Sequence, residues 1–474
     1  MGREVLKQIW KTKDGAVAII AAFAIPVVLV FVGMAIDIAR VNYVNSKIAY
    51  AADAAVVAAL RYDQANAVAN ATKVFNANFP ANFLGANVIP QVTVASDFSE
   101  ATVKASGQVK GYFSSFVGIT NLSVGASATS RRGSSGLELA MVLDVTGSMD
   151  WSGKLPALKQ AATSMINIIY GSNNSRNNTV ISIVPFVATV NIGTSHTAWL
   201  SNPAVLATFP SGQPWKGCVM ASPNEETVLP PGSNLWPVYY TQSTIPMHPA
   251  TPNATWDNDW RTDASGNVVI VHAMLDGSNG AQPVSIGPNR SCGPPILPTS
   301  NDKTALLNSI NGFSPIYGGG TFGNLGFGWG WRMLDPGWGP YLPVAPKPYK
   351  QSNNKKVLLF MTDGFNTWYD SSPSPTGDPT AYGFQLTGNT LGISSIGASR
   401  AAIDNKFLNL CAQAKAQGIE VYTLLFMGGD AQAVNMLTTC ASKPSNFFNA
   451  TTTTQIVTYF QDIANQINTV TIVK

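Results

Sequence analysis

Gly15–Ile36 runs for 22 residues without a charged side chain. At ~1.5 Å of helical rise per residue, such a run spans a hydrocarbon core of about 30 Å. Pro26 near its middle is tolerable in lipid, where neighbouring groups take up the backbone it frees. A cleavable signal peptide is the alternative reading. Its apolar core usually covers only about 7–15 residues, and no clear Ala-x-Ala site precedes Asp37. The run therefore reads as a retained, single-pass transmembrane helix. Arg3, Lys7, Lys11 and Lys13 outnumber Glu4 and Asp14 in residues 1–14. That bias predicts a cytoplasmic N-terminus and the bulk of the chain on the other side.

The helical pattern continues past Asp37. Ile38–Phe75 is Ala-rich, and Val44, Ile48, Ala51, Ala52, Ala55, Val56 and Ala59 recur at three- and four-residue spacing, giving one packing face. Phe79-Pro80 ends it. One long helix is expected to leave the membrane and lie on the strands after it. Val92–Ala95, Ala101–Val109 and Leu122–Ser130 alternate as short strands. Residues 37–130 thus read as a helix on a small antiparallel sheet, a pilin-like α+β arrangement. Residues 131–136, Arg-Arg-Gly-Ser-Ser-Gly, form a flexible linker.

The chain of 474 residues is long enough for two or three domains. Only 11% of residues are charged, against a usual ~25%, while 45% are hydrophobic. The polar surface must come from Asn, Ser, Thr, Gln and Gly, which suits an envelope or exported protein. The net charge of +4 is scattered, with Arg131-Arg132 and Lys355-Lys356 only as pairs, so nucleic-acid binding has little support. Cys218, Cys292, Cys411 and Cys440 include no Cys-x-x-Cys pair, and three histidines are too few to favour zinc. An even cysteine count in an exported chain suggests two disulfides. Sequence order favours Cys218–Cys292 and Cys411–Cys440, although four cysteines allow three connectivities and four buried thiols remain the alternative.

The most informative chemistry lies in Leu137–Met149. Leu139–Leu143 is an apolar run of buried-strand length that ends on Asp144, and Gly147 lets the backbone turn. Asp144, Thr146 and Ser148 then sit at alternate positions beyond a strand's carboxyl end, where open α/β sheets bind ligands. One carboxylate and two neutral oxygens suit a hard divalent cation such as Mg²⁺.

This pattern resembles the metal-ion-dependent adhesion site of von Willebrand factor A domains, whose first motif is Asp-x-Ser-x-Ser. Thr146 replaces the middle Ser and keeps a hydroxyl. The family's second piece, a Thr in a Gly-rich loop, is matched by Gly318-Gly319-Gly320-Thr321. Its third, an Asp after an apolar strand, is matched by Val357–Thr362 followed by Asp363-Gly364. Two enzyme families share part of the first motif. Aspartic proteases use Asp-Thr-Gly, whereas Val145 intervenes here. Haloacid-dehalogenase-type phosphatases use Asp-x-Asp, and Thr146 cannot protonate a leaving group as their second Asp does.

Residues 137–474 then read as one doubly wound, mostly parallel, Rossmann-like α/β domain. Lys154–Tyr170 is an amphipathic helix and Thr179–Phe186 a strand. Asp302–Asn311 is helical, Lys355–Met361 delivers Asp363, and strand and helix alternate through Gly418–Phe426, Ala431–Thr439, Asn446–Asn449 and Gln455–Ile467. Residues 191–300 interrupt this pattern as a large insertion with strands of its own, expected at the rim of the site. Residues 365–398 form a second excursion. Trp256-Asp257-Asn258-Asp259-Trp260 and Asp263 read as a solvated acidic turn, since the Gly and distal Glu of a calcium loop are missing. The glycines after Gly318 would let the backbone approach an ion. The tryptophans around Gly326–Trp338 suit either a binding surface or a helix–sheet core.

Gly15-Ala16-Val17-Ala18-Ile19 with Pro26, then Ala35-Ile36-Asp37-Ile38-Ala39-Arg40, resembles the anchor of TadG-like proteins of Flp (tight-adherence) pilus assembly. That family joins such an anchor to a von Willebrand factor A domain in this order. A Glu five residues after a cut at Gly15, as pilin processing requires, is absent, for Ile20 stands there. The resemblance implies an inner-membrane-anchored, periplasmic or surface protein that is not an enzyme. Its metal ligands would be Asp144, Thr146, Ser148, Thr321 and Asp363, holding Mg²⁺ or else Mn²⁺ or Ca²⁺. The partner would be a protein offering a carboxylate, from other Flp pilus components or a surface receptor. No small-molecule substrate is implied. A purely structural pilin-like subunit with a vestigial site is the second reading. An envelope hydrolase is the third, disfavoured because His196, His248 and His272 all fall in the insertion and complete no catalytic set.

Overall fold

A computed structural model describes residues 13–61, 65–95, 100–132, 136–240, 260–270, 287–351, 354–368, 379–383, 389–393, 395–468 and 470–473. The chain divides into two compact units, residues 1–134 with 468–474, and residues 135–467.

Unit 1 begins with α1 (Lys13–Arg61), which contains the apolar run and Pro26. It is the one helix among the described residues long and apolar enough to cross a membrane. Sequence periodicity predicts one helix to Phe75. Instead α1 stops at Arg61, and a second helix, α2 (Ala67–Asn78), buries Ala67, Ala71 and Phe75 at four-residue spacing. The two helices share a core with one face of the sheet, so breaking the helix lets both halves bury their apolar stripes. Phe79 is extended before Pro80, as the clash between proline and the preceding residue requires. Strands β1 (Asn87–Val94), β2 (Glu100–Lys110) and β3 (Asn121–Arg132) form an antiparallel meander. A fourth strand, Val470–Val473, pairs antiparallel with the end of β3. The second unit accordingly closes at Ile467 rather than 474, and Arg131-Arg132 belong to a strand rather than to the expected linker.

Unit 2 holds a six-stranded sheet. Its strands are β4 (Gly136–Asp144), β5 (Thr179–Phe186), β6 (Leu297–Ser300), β7 (Asn354–Thr362), β8 (Glu420–Phe426) and β9 (Phe447–Ala450). The spatial order is β6-β5-β4-β7-β8-β9, all parallel except the edge strand β6. This is the doubly wound order expected, with the direction of winding reversing between β4 and β7. Helices α3 (Lys154–Tyr170), α4 (Lys303–Asn311) and α8 (Thr453–Ile467) cover one face, packed on Leu139, Met141, Leu143, Leu359 and Met361. Helices α5 (Gly323–Arg332), α6 (Ser399–Ala416) and α7 (Ala431–Cys440) cover the other, packed on Val142, Phe186, Leu358 and Phe360.

The insertion packs onto that second face. Trp199 and Trp236 stack among Trp329 and Trp338, all buried, which makes the tryptophans core rather than surface. Buried Arg332 bridges to Glu225 at 3.1 Å and lies over the Trp236 and Trp329 rings. Among the described residues, the insertion carries two short ladders, Val190–Asn191 with Cys218–Val219 and Trp260–Thr262 with Val268–Ile270. The pairs Cys218–Cys292 and Cys411–Cys440 both form, with Cα atoms 5.7 and 5.2 Å apart. Asp263 accepts from the Ser265 and Asn267 backbone N–H groups, so it closes a turn as expected. The acidic run 256–259, His248 and His272 lie outside the described residues.

Glycines set how closely α5 approaches the sheet. A Cβ on Gly326 would fall 2.6 Å from the Phe186 ring, and one on Gly330 would fall 2.3 Å from Val142 Cγ2. Gly330→Ala is therefore expected to lower unfolding stability by about 1–3 kcal/mol through overpacking, despite its better helix propensity. Urea unfolding of the full chain in detergent measures this.

Candidate metal centre

The sheet delivers two acids to one rim. β4 and β7 run parallel as neighbours, in a register that sets Leu143 beside Met361. Their carboxyl ends then carry Asp144 and Asp363, both buried, at the point where winding reverses. Asp144 Oδ1 accepts from the Thr146 N–H at 2.9 Å and from its hydroxyl at 2.6 Å, while Asp144 Oδ2 accepts from the Thr362 hydroxyl at 2.7 Å. The Thr146 and Ser148 hydroxyls lie 3.0 Å apart, and Ser148 donates to Asp363 Oδ1 at 2.8 Å across a separation of 215 residues. Asp144, Thr146, Ser148 and Asp363 thus form one continuous chain of oxygens.

The Gly-rich loop joins them through its backbone. Gly318, Gly319 and Gly320 all have φ between 75° and 109°, a path that side chains with a Cβ rarely adopt. Before it, Ile316 bridges Thr146; after it, Thr321 pairs with Thr367, four residues beyond Asp363. All three loops are therefore laced together. Thr321 is buried, but its hydroxyl takes no part in the hydrogen-bonded chain. The end of the insertion seats the loop from outside, with Ser291 Oγ donating to Tyr317 O at 3.2 Å. The loop after Asp363 is braced in turn by Asn366, which accepts from Gly323 N–H and donates to Asp404.

Two further residues belong to this site that its motifs do not announce. Lys154 extends its ammonium to 2.8 Å from Asp363 Oδ2, a nearly buried ion pair. A lysine at the first position of a helix opposes the helix dipole, and that mismatch is the available signal. Thr362 is the other, visible in sequence only as the last residue of the strand.

The electrostatics are unbalanced. Burial pushes the Asp144 carboxyl up to about 7, and the negative charge of Asp363 adds to the rise, against the hydrogen bonds from Thr146 and Thr362. Two carboxylates share the rim, and Lys154 pairs with one of them, Asp363. Among the described residues no cluster of three His, Cys, Asp or Glu side chains occurs. A cation at this rim would thus be held by acids and hydroxyls together, a donor set suited to a hard divalent ion that retains waters. His196 Nδ1 sits 2.6 Å from Ile192 O, and its ring lies against Trp199.

Residues 15–70 match the Tad family model, Flp pilus-assembly TadE/G-like. No curated protein matches the chain. Among solved structures, the pilus adhesin SpaC from Lactobacillus rhamnosus GG is similar at 11% identity and TM-score 0.37, over 81% of this chain and 34% of that one. The chain thus spans about a third of that adhesin. The vWF domain of the type V pili tip protein Mfa5 from Porphyromonas gingivalis is similar at 12% identity and TM-score 0.38, over 70% of this chain and 95% of that one. Proximal thread matrix protein 1 from the mussel byssus, in a structure with a zinc-occupied MIDAS motif, is similar at 10% identity and TM-score 0.31, over 73% and 48%. At these values the likeness says nothing of this chain's ligands. The chain carries a TadE/G-like Flp pilus-assembly segment over residues 15–70, ahead of a doubly wound α/β unit of the kind its von Willebrand factor A resemblance implies.

Proposed function

We propose that this is a membrane-anchored protein of the Flp pilus apparatus, or of the pilus itself, whose second unit binds a divalent cation and through it a protein partner. The observation that carries the reading is the convergence of Asp144, Thr146, Ser148 and Asp363 at the point where the sheet reverses its winding. Asp144 and Asp363 would supply charge, and Thr146, Ser148 and Thr321 neutral oxygens, to Mg²⁺, Mn²⁺ or Ca²⁺. Two carboxylates only balance a doubly charged ion, so it keeps Lewis-acid character. An Asp or Glu side chain of a partner is a natural further ligand, in a charge-assisted contact. That partner is another pilus component or a surface receptor. The anchor sits in the bacterial inner membrane, with the basic N-terminus in the cytoplasm and the bulk of the chain in the periplasm or at the cell surface. Binding rather than turnover is the role.

One observation favours a second reading. The Lys154 ammonium already offsets one of the two acids. In that case the unit only packs or anchors, and Lys154 is its resident cation.

Calorimetry of the full chain in detergent with Mg²⁺ and Mn²⁺ separates the two. Asp144→Asn is expected to abolish the binding heat, and identical heats for both proteins would reject the metal site. Because Asp144 is raised to about 7, cation binding below that pH is expected to release a proton and to weaken up to about tenfold per pH unit. Buffers of different ionisation enthalpy would count that proton. For stability the sign is set by the same shift: a raised acid costs folding energy as pH climbs from about 4 to 7. The chelated protein is thus expected to melt higher at acidic than at alkaline pH, and Asp144→Asn to flatten that slope.

Lys154→Met supplies a further check. Removing the competing ammonium is expected to tighten cation binding by about tenfold or more, since each lost unit charge near the site is worth over ~1 kcal/mol in a partly dry environment. Absence of cation binding in both the variant and the parent would favour the structural reading.

A further inference from the structure

The loop joining β2 to β3, residues 111–120, is charge-free and apolar, with Tyr112, Phe113, Phe116, Val117 and Ile119 all exposed. Phe116 is 79% exposed, the most of any large apolar side chain among the described residues. A loop tip of this kind would normally cost solubility, so its position matters.

That position is fixed by α1. Asp37, the first charged residue after the apolar run, is buried, and its carboxylate accepts from the Tyr112, Phe113 and Ser114 N–H groups at 3.2, 2.9 and 2.8 Å. The Ser114 hydroxyl donates to it as well, at 2.9 Å. One turn earlier, a Cβ on Gly33 would fall 2.4 Å from the Phe113 ring, so that ring rests on the helix where the glycine leaves room. Gly33 lies inside the charge-free run, about 4.5 Å before its end at the helical rise. The loop therefore flanks the last turn of the run. Around it Arg40 donates to Lys110 O and Leu84 O and lies 4.1 Å over the Tyr112 ring. A cation and a tyrosine beside apolar tips match the residue order of a membrane interface, amphipathic groups at headgroup depth and apolar ones below.

We propose that the 111–120 loop is a second membrane contact, with Phe116 and Val117 seated in the interfacial zone of the leaflet that α1 leaves. The occupant of this apolar surface is lipid, because Phe113 rests on α1 at Gly33, inside the apolar run, where Phe31, Val32 and Ile36 are exposed. The inference rests on α1 being a membrane anchor. The contact gives unit 1 two seats, a helix and a loop, joined by the Asp37 hydrogen bonds. The Asp37 carboxylate keeps its charge at the lipid boundary but is satisfied there by loop donors.

The test uses the full chain in phospholipid vesicles, with an environment-sensitive fluorophore on Phe116→Cys. The exposure of Phe116 means the change removes no packing, and the native cysteines are paired. The expected result is blue-shifted emission, quenched more by nitroxide lipid labelled near the headgroup than by nitroxide near the chain terminus or by aqueous iodide. Water-like emission with strong iodide quenching would overturn the loop contact, provided a Phe23→Cys label is still quenched by the deep nitroxide. Iodide access at position 23 would overturn the anchor and the loop contact together. Protection that vanishes as protein is diluted in lipid would identify a second copy as the occupant, and would overturn the lipid assignment.

Discussion

The adjacency of β4 and β7 governs unit 2. Two strands far apart in the chain pair in parallel, and their register brings both carboxyl ends to one rim. Since β5 lies on one side of this pair and β8 on the other, the crossovers leave the sheet in opposite directions there. That leaves a crevice which no crossover covers. Everything chemical about the unit depends on which side chains come next, and here both are aspartates.

Two other buried acids of this unit, Glu138 and Glu225, are held differently. Glu138 meets Lys356, which also donates to Leu334 O at 2.8 Å, and Glu225 meets Arg332 and accepts from Trp236 Nε1 at 3.0 Å. In each of those cases one buried carboxylate faces one cation, and further donors and acceptors complete the pair, as buried ion pairs require. At the rim Asp363 holds the Lys154 ammonium, while Asp144 accepts only from the Thr146 N–H and from the Thr146 and Thr362 hydroxyls among the described residues. Burial and the neighbouring Asp363 raise the second acid, Asp144, instead.

Much of this is legible in the sequence, and the failures have physical causes. The apolar runs of β4, β5 and β7 end within a residue of their expected limits, because fully buried parallel strands must be apolar on both faces. Asp144, Thr146, Ser148 and Asp363 converge, because strand ends fix them. Thr321 reaches the same rim through its backbone, but its hydroxyl stands outside the hydrogen-bonded chain. The glycines of α5 suggest, in sequence, a backbone freed near an ion; their neighbours in the fold show them instead admitting the sheet's side chains. Tertiary packing, invisible to local pattern, also splits the expected long helix and sends the final strand to the first sheet. Lys154 is hidden because its partner lies 209 residues away.

The pairing of Val470–Val473 with β3 makes unit 2 an insert between neighbouring strands of unit 1. Closing that ladder directly from an unfolded chain means bridging a loop of roughly 330 residues, an entropic cost that grows with the logarithm of length. Once residues 135–467 have folded, the two strand ends issue from a compact body and the closure becomes local. On this ground the ladder beside β3 is expected to close after residues 135–467 have folded, so a lesion in the α/β core would leave that edge unfinished.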